Sequence, residues 1–222
     1  MYFTSSLNRL VYPYTNIYII SNDLCHLLQW FIMIRMKLII ALGNPEKRYD
    51  GTRHNIGFFI ADHLVGQWHA SWQKQKKFHA ITAEYVAPSG QHVIIAKPTT
   101  YYNLVGESAR AISDFYKIAP EDTLIIHDDL ALPLGTVRTR IGGSSGGNNG
   151  LKSLTSHLGE TTCRLRIGVW DDTHEGREAT DVVLGKLSAA EQQQLAALLP
   201  KVTSLIDAFL AGDFAVTTHR EA

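Results

Sequence analysis

The chain has 222 residues, enough for one sizeable core, and its 45% hydrophobic and 19% charged residues are ordinary for a soluble globular protein. Lys plus Arg and Asp plus Glu each number 21, so the formal net charge is zero; this excludes a uniformly basic binder of the histone kind but leaves room for a local basic face. The two cysteines, Cys25 and Cys163, exclude a multi-bridge scaffold and lack metal-ligand spacing, so a reduced, cytoplasmic setting is expected.

Residues 1–35 read differently from the rest. Ile17 to Ile34 is apolar but broken by Ser21, Asn22, Asp23, His26 and Gln29. A membrane span wants about 20 largely apolar residues, and a secretory signal wants a basic start and a small-residue cleavage site. The expectation is an N-terminal extension, either a mis-called start before Met36 or a disordered segment, with an anchor or targeting role as the lesser reading. The domain is expected over 36–222. It opens with a short apolar run, Lys37 to Leu42, ended by Gly43: a buried strand entering a loop. Ile56, Phe59, Ile60, His63 and Leu64 recur at helical spacing within Asn55 to Ala70. Ala80 to Ala87 and His92 to Ala96 flank Pro88, Ser89 and Gly90 and predict a hairpin. Val105, Ala109, Ile112 and Tyr116 predict an amphipathic helix over Tyr102 to Ile118. Thr123 to His127 is a second buried strand, closed by Asp128 and Asp129. Thr136 to Arg140 alternates like an outer strand, and a Gly-rich loop from Gly142 to Gly150 leads into a short helix ending near Leu158. Arg164 to Trp170 is a further strand. Ser188 and Glu191 form a capping box for a long helix, with Pro200 as a potential kink and an end near Gly212. Strands and helices alternate without a repeat, so the class is α/β, with helices on both faces of a mostly parallel or mixed sheet.

In open α/β sheets, sites form beyond the carboxyl ends of strands. The loop after the first strand places His54 where a helix begins, and the helix dipole disfavours a cation there; a neutral imidazole is what a general base must be. A His that merely packs or caps is the bland alternative for any of the ten. Asp128, at a strand end, could fix an imidazole tautomer or could simply form a turn. Asn103, at a helix start, offers a donor and an acceptor suited to a peptide backbone or a developing oxyanion. The Gly-rich loop lacks the Gly-Lys-Ser/Thr ending of a P-loop. Around it, Arg138, Arg140, Lys152, Arg164 and Arg166 face only Glu160, a basic excess that fits either a polyanionic substrate or a solvated surface. No Gly-x-Ser-x-Gly elbow, His-Glu-x-x-His or Cys-x-x-Cys occurs, which leaves His-activated water with Asn donors.

Taken together, these stretches resemble a known family. Leu42, Gly43, Asn44, Pro45, Tyr49 and Thr52 to Gly57 look like the opening motif of bacterial-type peptidyl-tRNA hydrolases. Lys97 to Asn103 with Gly106 is similar to the second motif. His127 to Gly135, and Gly142 to Lys152 with Leu165 to Gly168, resemble the third and fourth. The resemblance runs from Met36 to about Gly212. It implies a single three-layer α/β/α domain with a twisted mixed, mostly parallel sheet, usually monomeric. It also implies hydrolysis of the ester between a peptide and the 3′ ribose of its tRNA, without metal or organic cofactor. Carried onto this sequence, His54 is the base that activates water and Asp128 orients it. Asn44, Asn103 and Asn149 bind the peptide main chain and stabilise negative charge, with Tyr102 on the cleft wall. Tyr49 sits against the tRNA 3′ end. Arg140 and Arg166 meet a tRNA phosphate, and Arg138 is a weaker candidate. Three positions depart from the family pattern: Tyr102 stands where Met is usual, Asn148 where His is usual, and Ser145 at a variable position. The competing readings are a non-catalytic RNA-binding relative acting in RNA processing, and a peptidase or esterase on small substrates.

Overall fold

Eight strands form one sheet in the computed structural model, which describes residues 36–171 and 174–221; the expectation for 1–35 lies outside them. In chain order they are β1 (Lys37–Ala41), β2 (Gln73–Gln75), β3 (Ala80–Val86), β4 (His92–Pro98), β5 (Thr123–Pro133), β6 (Thr136–Ile141), β7 (Cys163–Trp170) and β8 (Thr218–Arg220). Their spatial order is β2-β3-β4-β1-β5-β7-β6-β8. The central four, β4, β1, β5 and β7, run parallel. Antiparallel strands complete both edges, with β3 and β6 opposed to the rest. The sheet is therefore mixed around a parallel core, as the alternating pattern implied.

Every residue of β1 is buried, as expected for an interior parallel strand covered on both faces. One face packs under α1 (Ile56–Gln67) and α5 (Ala189–Ala211), where Ile39, Ala41, Leu124, Ile126, Leu165 and Ile167 meet Ile60, Leu64, Leu198, Val202 and Phe209. The other packs under α2 (Val105–Tyr116) and α3 (Asn149–Leu158), where Leu38, Ile40, Ile94 and Ile125 meet Ala109, Ile112, Leu151 and Leu154. A short α4 (Ala179–Leu184) precedes α5. The α5 helix is long and apolar enough to cross a membrane by length and composition, but its apolar stripe is spent on the sheet. Its capping box is present: Ser188 Oγ accepts from the Glu191 amide at 3.3 Å and Glu191 Oε2 accepts from the Ser188 amide at 2.7 Å. It continues through Pro200 to Gly212, whose φ of 86° ends it in the left-handed region.

Several expectations need correction. β5 does not close at Asp128 but runs to Pro133, because Asp128 and Asp129 pair with Ile167 and Gly168 before a bulge. The Thr136–Arg140 stretch is not the outermost strand, since β8 pairs outside it. Phe59 leaves the core and is 44% exposed, lining a side cavity with Phe58 and Lys97, while Ala61 and Val65 take the buried stripe.

Candidate functional site

The site sits beyond the carboxyl ends of β1 and β5, which are neighbouring parallel strands. The chain leaving β1 runs through α1 to β2 at one edge of the sheet, whereas the chain leaving β5 continues to β6 and β7 on the other side, the arrangement in which strand ends open a crevice. Gly57 lets the start of α1 press against those ends: a Cβ there would lie 2.4 Å from the Leu42 carbonyl and 2.7 Å from that of Ile126. Just ahead of it, the 3₁₀ turn Arg53–Asn55 presents His54 to the crevice. The turn is held from both sides. Asn55 Oδ1 accepts from the Asn44 amide at 2.8 Å, and its Nδ2 donates to the Asn44 carbonyl at 3.0 Å, pinning the first loop. Arg53 is buried, donates to the Lys186 carbonyl and forms an ion pair with Glu191 at the head of α5. The main chain of Arg53 also donates to Gly185. Burial raises the Glu191 carboxyl, but the Ser188 amide and hydroxyl and the Arg53 guanidinium outweigh it, and the net shift is downward.

His54 Nδ1 lies 2.9 Å from Asp128 Oδ2, with the two side chains 14% and 3% exposed. A carboxylate only accepts, so Nδ1 carries a proton, and in the neutral ring Nε2 is then the nitrogen with the lone pair. Tyr102 stacks on the imidazole with ring centroids 3.8 Å apart at 28°. Its hydroxyl lies 3.4 Å from Asp128 Oδ1 and accepts from Asn148 Nδ2 at 3.0 Å. Burial and then the Asp128 carboxylate push the Tyr102 phenol well above its usual range. Next along β5, His127 is buried and its Nδ1 donates to the Asp128 carbonyl at 2.7 Å. Burial is the main cause of its lowered pKa.

These groups line a cavity of about 580 Å³. Asn44, His54, Tyr102, Asn103, Asp128 and Asn149 all border it, so the structure gathers the expected catalytic and amide residues into one place. Arg140 and Arg166 border it too, as does Arg164. Their clustering follows from register: Arg138 and Arg140 on β6 face Arg166 and Arg164 on β7. Arg166 Nε donates to Asp129 Oδ2 at 2.6 Å. Arg164 is buried and donates to the Ser144 carbonyl at 2.7 Å; burial, then Arg140 and Arg166, lower its pKa. Arg140 is exposed and, among the described residues, makes no ion pair. Two expected residues fall outside the cavity. Tyr49 sits in the turn Lys47–Tyr49 with the Arg48 guanidinium 4.8 Å from its ring, and Arg138 donates to Thr218 Oγ1 on β8. Ser145 lines the loop side. Among the described residues no three His, Cys, Asp or Glu side chains converge as a metal site. Burial pushes the Cys163 thiol up to about 11, far from a reactive thiolate.

Sequence reasoning missed Asn55, Arg53 with Glu191, Asp129 as the partner of Arg166, and the α4 wall of Ala179, Thr180, Val183 and Leu184. Arg53 and Asn55 flank His54 in sequence, which was the available signal; the α4 wall left none.

Comparison with known proteins follows the same lines. The family model described as peptidyl-tRNA hydrolase matches residues 38–221. The peptidyl-tRNA hydrolase of Gloeobacter violaceus is 41% identical over 184 residues, covering 80% of this chain and 89% of its own. That of Geobacillus kaustophilus is 47% identical over 158 residues, 71% of this chain and 83% of its own. The crystal structure of peptidyl-tRNA hydrolase from Acinetobacter baumannii superposes with a TM-score of 0.74 at 36% identity, covering 81% of this chain and 91% of the other.

Proposed function

Since this chain belongs to the peptidyl-tRNA hydrolase family and is an ester hydrolase acting on peptidyl-tRNA, we propose that it does so with His54 as general base and Asp128 as its orienting partner. The observation that carries this is the 2.9 Å contact from His54 Nδ1 to Asp128 Oδ2 at the edge of the cavity. It leaves Nε2 as the ring nitrogen able to take a proton from water. Hydroxide then adds to the ester carbonyl. The tetrahedral oxyanion draws on the Asn side chains that border the cavity, and Asn44, Asn103 and Asn149 are the candidates. Collapse breaks the bond to the 3′ oxygen, which takes the proton back from Nε2 as the free tRNA leaves. Asp128 stabilises the imidazolium formed in between. The guanidinium groups of Arg140 and Arg166 supply the attraction for a tRNA phosphate, and Tyr49, outside the cavity, is left for the 3′ end. Action as a cytoplasmic monomer without a cofactor completes the reading. A non-catalytic RNA-binding role is not favoured, because binding alone gives no reason for an Asp-oriented imidazole.

The test is release of free tRNA from N-acetyl-aminoacyl-tRNA by the purified protein. Asp128→Asn should slow it at least about tenfold, since an amide cannot stabilise an imidazolium as a carboxylate does. An unchanged rate would place Asp128 outside the chemistry.

A further inference from the structure

We propose that Tyr102 is a positioning residue of this site: its hydroxyl ties Asp128 to Asn148 and its ring braces His54, so the catalytic pair is clamped from the side of the Gly-rich loop. The proposal rests on the reading of His54 and Asp128 given above and deepens it.

The hydrogen bonds fix one another's direction. Asn148 is the N-cap of α3, and its Oδ1 accepts from the Leu151 amide at 3.0 Å. That settles which end of the amide is which, so Nδ2 faces the other way and donates to the Tyr102 oxygen at 3.0 Å. A phenol has one proton. With a lone pair occupied by Asn148, the proton is directed at Asp128 Oδ1, 3.4 Å away, while Asp128 Oδ2 accepts from His54. Each link of the series Asn148, Tyr102, Asp128, His54 joins one donor to one acceptor, and the carboxylate is contacted through both oxygens. A carboxylate held at both ends cannot rotate away from the imidazole, and the stacked ring closes the route by which the imidazole would tip.

Two further observations support the clamp. The burial and Asp128 charge that raise the phenol keep it protonated, hence a donor, across the neutral range. Gly150 makes room for the ring, since a Cβ there would lie 2.6 Å from Tyr102 Cε1. Tyr102 and Asn148 are also the two principal departures from the family motifs, and they prove to be the two ends of one hydrogen bond. A Met at 102 has no proton to give Asp128, so the bridge depends on the phenol.

The experiment uses the full chain and measures tRNA release from N-acetyl-aminoacyl-tRNA for wild type, Tyr102→Phe, Asn148→Ser and the double variant. Serine keeps the helix cap but is too short to bridge, so Asn148→Ser isolates the bond to Tyr102. The clamp predicts that Tyr102→Phe lowers kcat about threefold to tenfold with KM within about twofold, the size expected for one ordinary net hydrogen bond, since the 3.4 Å contact to Asp128 is a long one. Asn148→Ser should lower kcat in the same direction with an unchanged Tm, and the double variant should be no slower than Tyr102→Phe alone, because coupled groups are not additive. A kcat for Tyr102→Phe within about 1.5-fold of wild type, an effect confined to KM, or additive losses in the double variant would each overturn the clamp. Should Tyr102→Phe fail to fold, Asn148→Ser carries the kcat test. His54→Ala in the same assay separates the two readings: retained turnover there refutes the hydrolytic assignment, whereas its loss beside a normal Tyr102→Phe refutes the clamp alone.

Discussion

Replacing Arg140 with alanine should weaken tRNA binding in a manner that salt reveals. Of the guanidinium groups bordering the cavity, Arg164 is buried on the Ser144 carbonyl and Arg166 is paired with Asp129. Arg140 is the exposed one and makes no ion pair among the described residues. It should therefore meet a phosphate at the lowest desolvation cost. One phosphate contact contributes roughly 0.7 to 0.9 to the slope of log affinity against log salt. Over a fourfold rise from about 50 to 200 mM, that amounts to a loss of about 2.6- to 3.5-fold per contact. Arg140→Ala should bind more weakly at low salt and lose that much less on adding salt. Arg166→Ala should change the slope by less, because Asp129 already occupies its guanidinium, and Asp129→Asn should free Arg166 and steepen the slope. Titrating deacylated tRNA by fluorescence anisotropy at three salt concentrations measures all of these. Turnover of Arg140→Ala at saturating substrate should stay near wild type, as expected for uniform binding. Parallel slopes for wild type and Arg140→Ala would refute the phosphate contact, and a collapse of turnover with unchanged binding would move Arg140 into the chemistry.

Gly57→Ala forces a methyl against two backbone carbonyls that cannot retreat, so it should cost at least about 2 kcal/mol, read as a Tm lowered by several degrees, together with lost activity as the His54 turn shifts; an unchanged Tm would contradict the close approach. Glu191→Gln leaves the buried Arg53 guanidinium without its carboxylate and should cost roughly 3 kcal/mol at neutral pH by urea unfolding. Because the Glu191 carboxyl is lowered in the folded protein, its contribution is present above the ordinary glutamate range and lost as pH falls through the lowered value, so the gap between wild type and Glu191→Gln should close in acid; a gap constant down to about pH 3 would show that the ion pair is not its source.

The fold was legible wherever one residue pattern served one surface. The all-apolar run at Lys37–Ala41, the hairpin around Ser89 and the Ser188–Glu191 capping box each fixed an element locally. Reading failed where partners far apart in sequence decided the outcome. Asp128 looks like a strand terminator, but pairing with Ile167 carries β5 past it, and the edge strands β2 and β8 are three residues each with no apolar signature. Phe59 fits the helical stripe, yet α1 rolls so that Ala61 and Val65 face the sheet and Phe59 borders a side cavity. The site divides in the same way. His54, Asp128 and Asn103 were visible as residue types suited to the chemistry at helix starts and a strand end, whereas Asn44 and Asn149 came only from the family resemblance. The pairings of Arg166 with Asp129, Arg53 with Glu191 and Tyr102 with Asn148 join different elements, and only the folded register brings them together.

The central claim is that His54 is the base. A single-turnover measurement of tRNA release from N-acetyl-aminoacyl-tRNA by His54→Ala, beside its binding of deacylated tRNA, tests it directly. The account predicts a rate lower by on the order of 10² to 10⁴ with tRNA affinity preserved. Release within about threefold of wild type would contradict it.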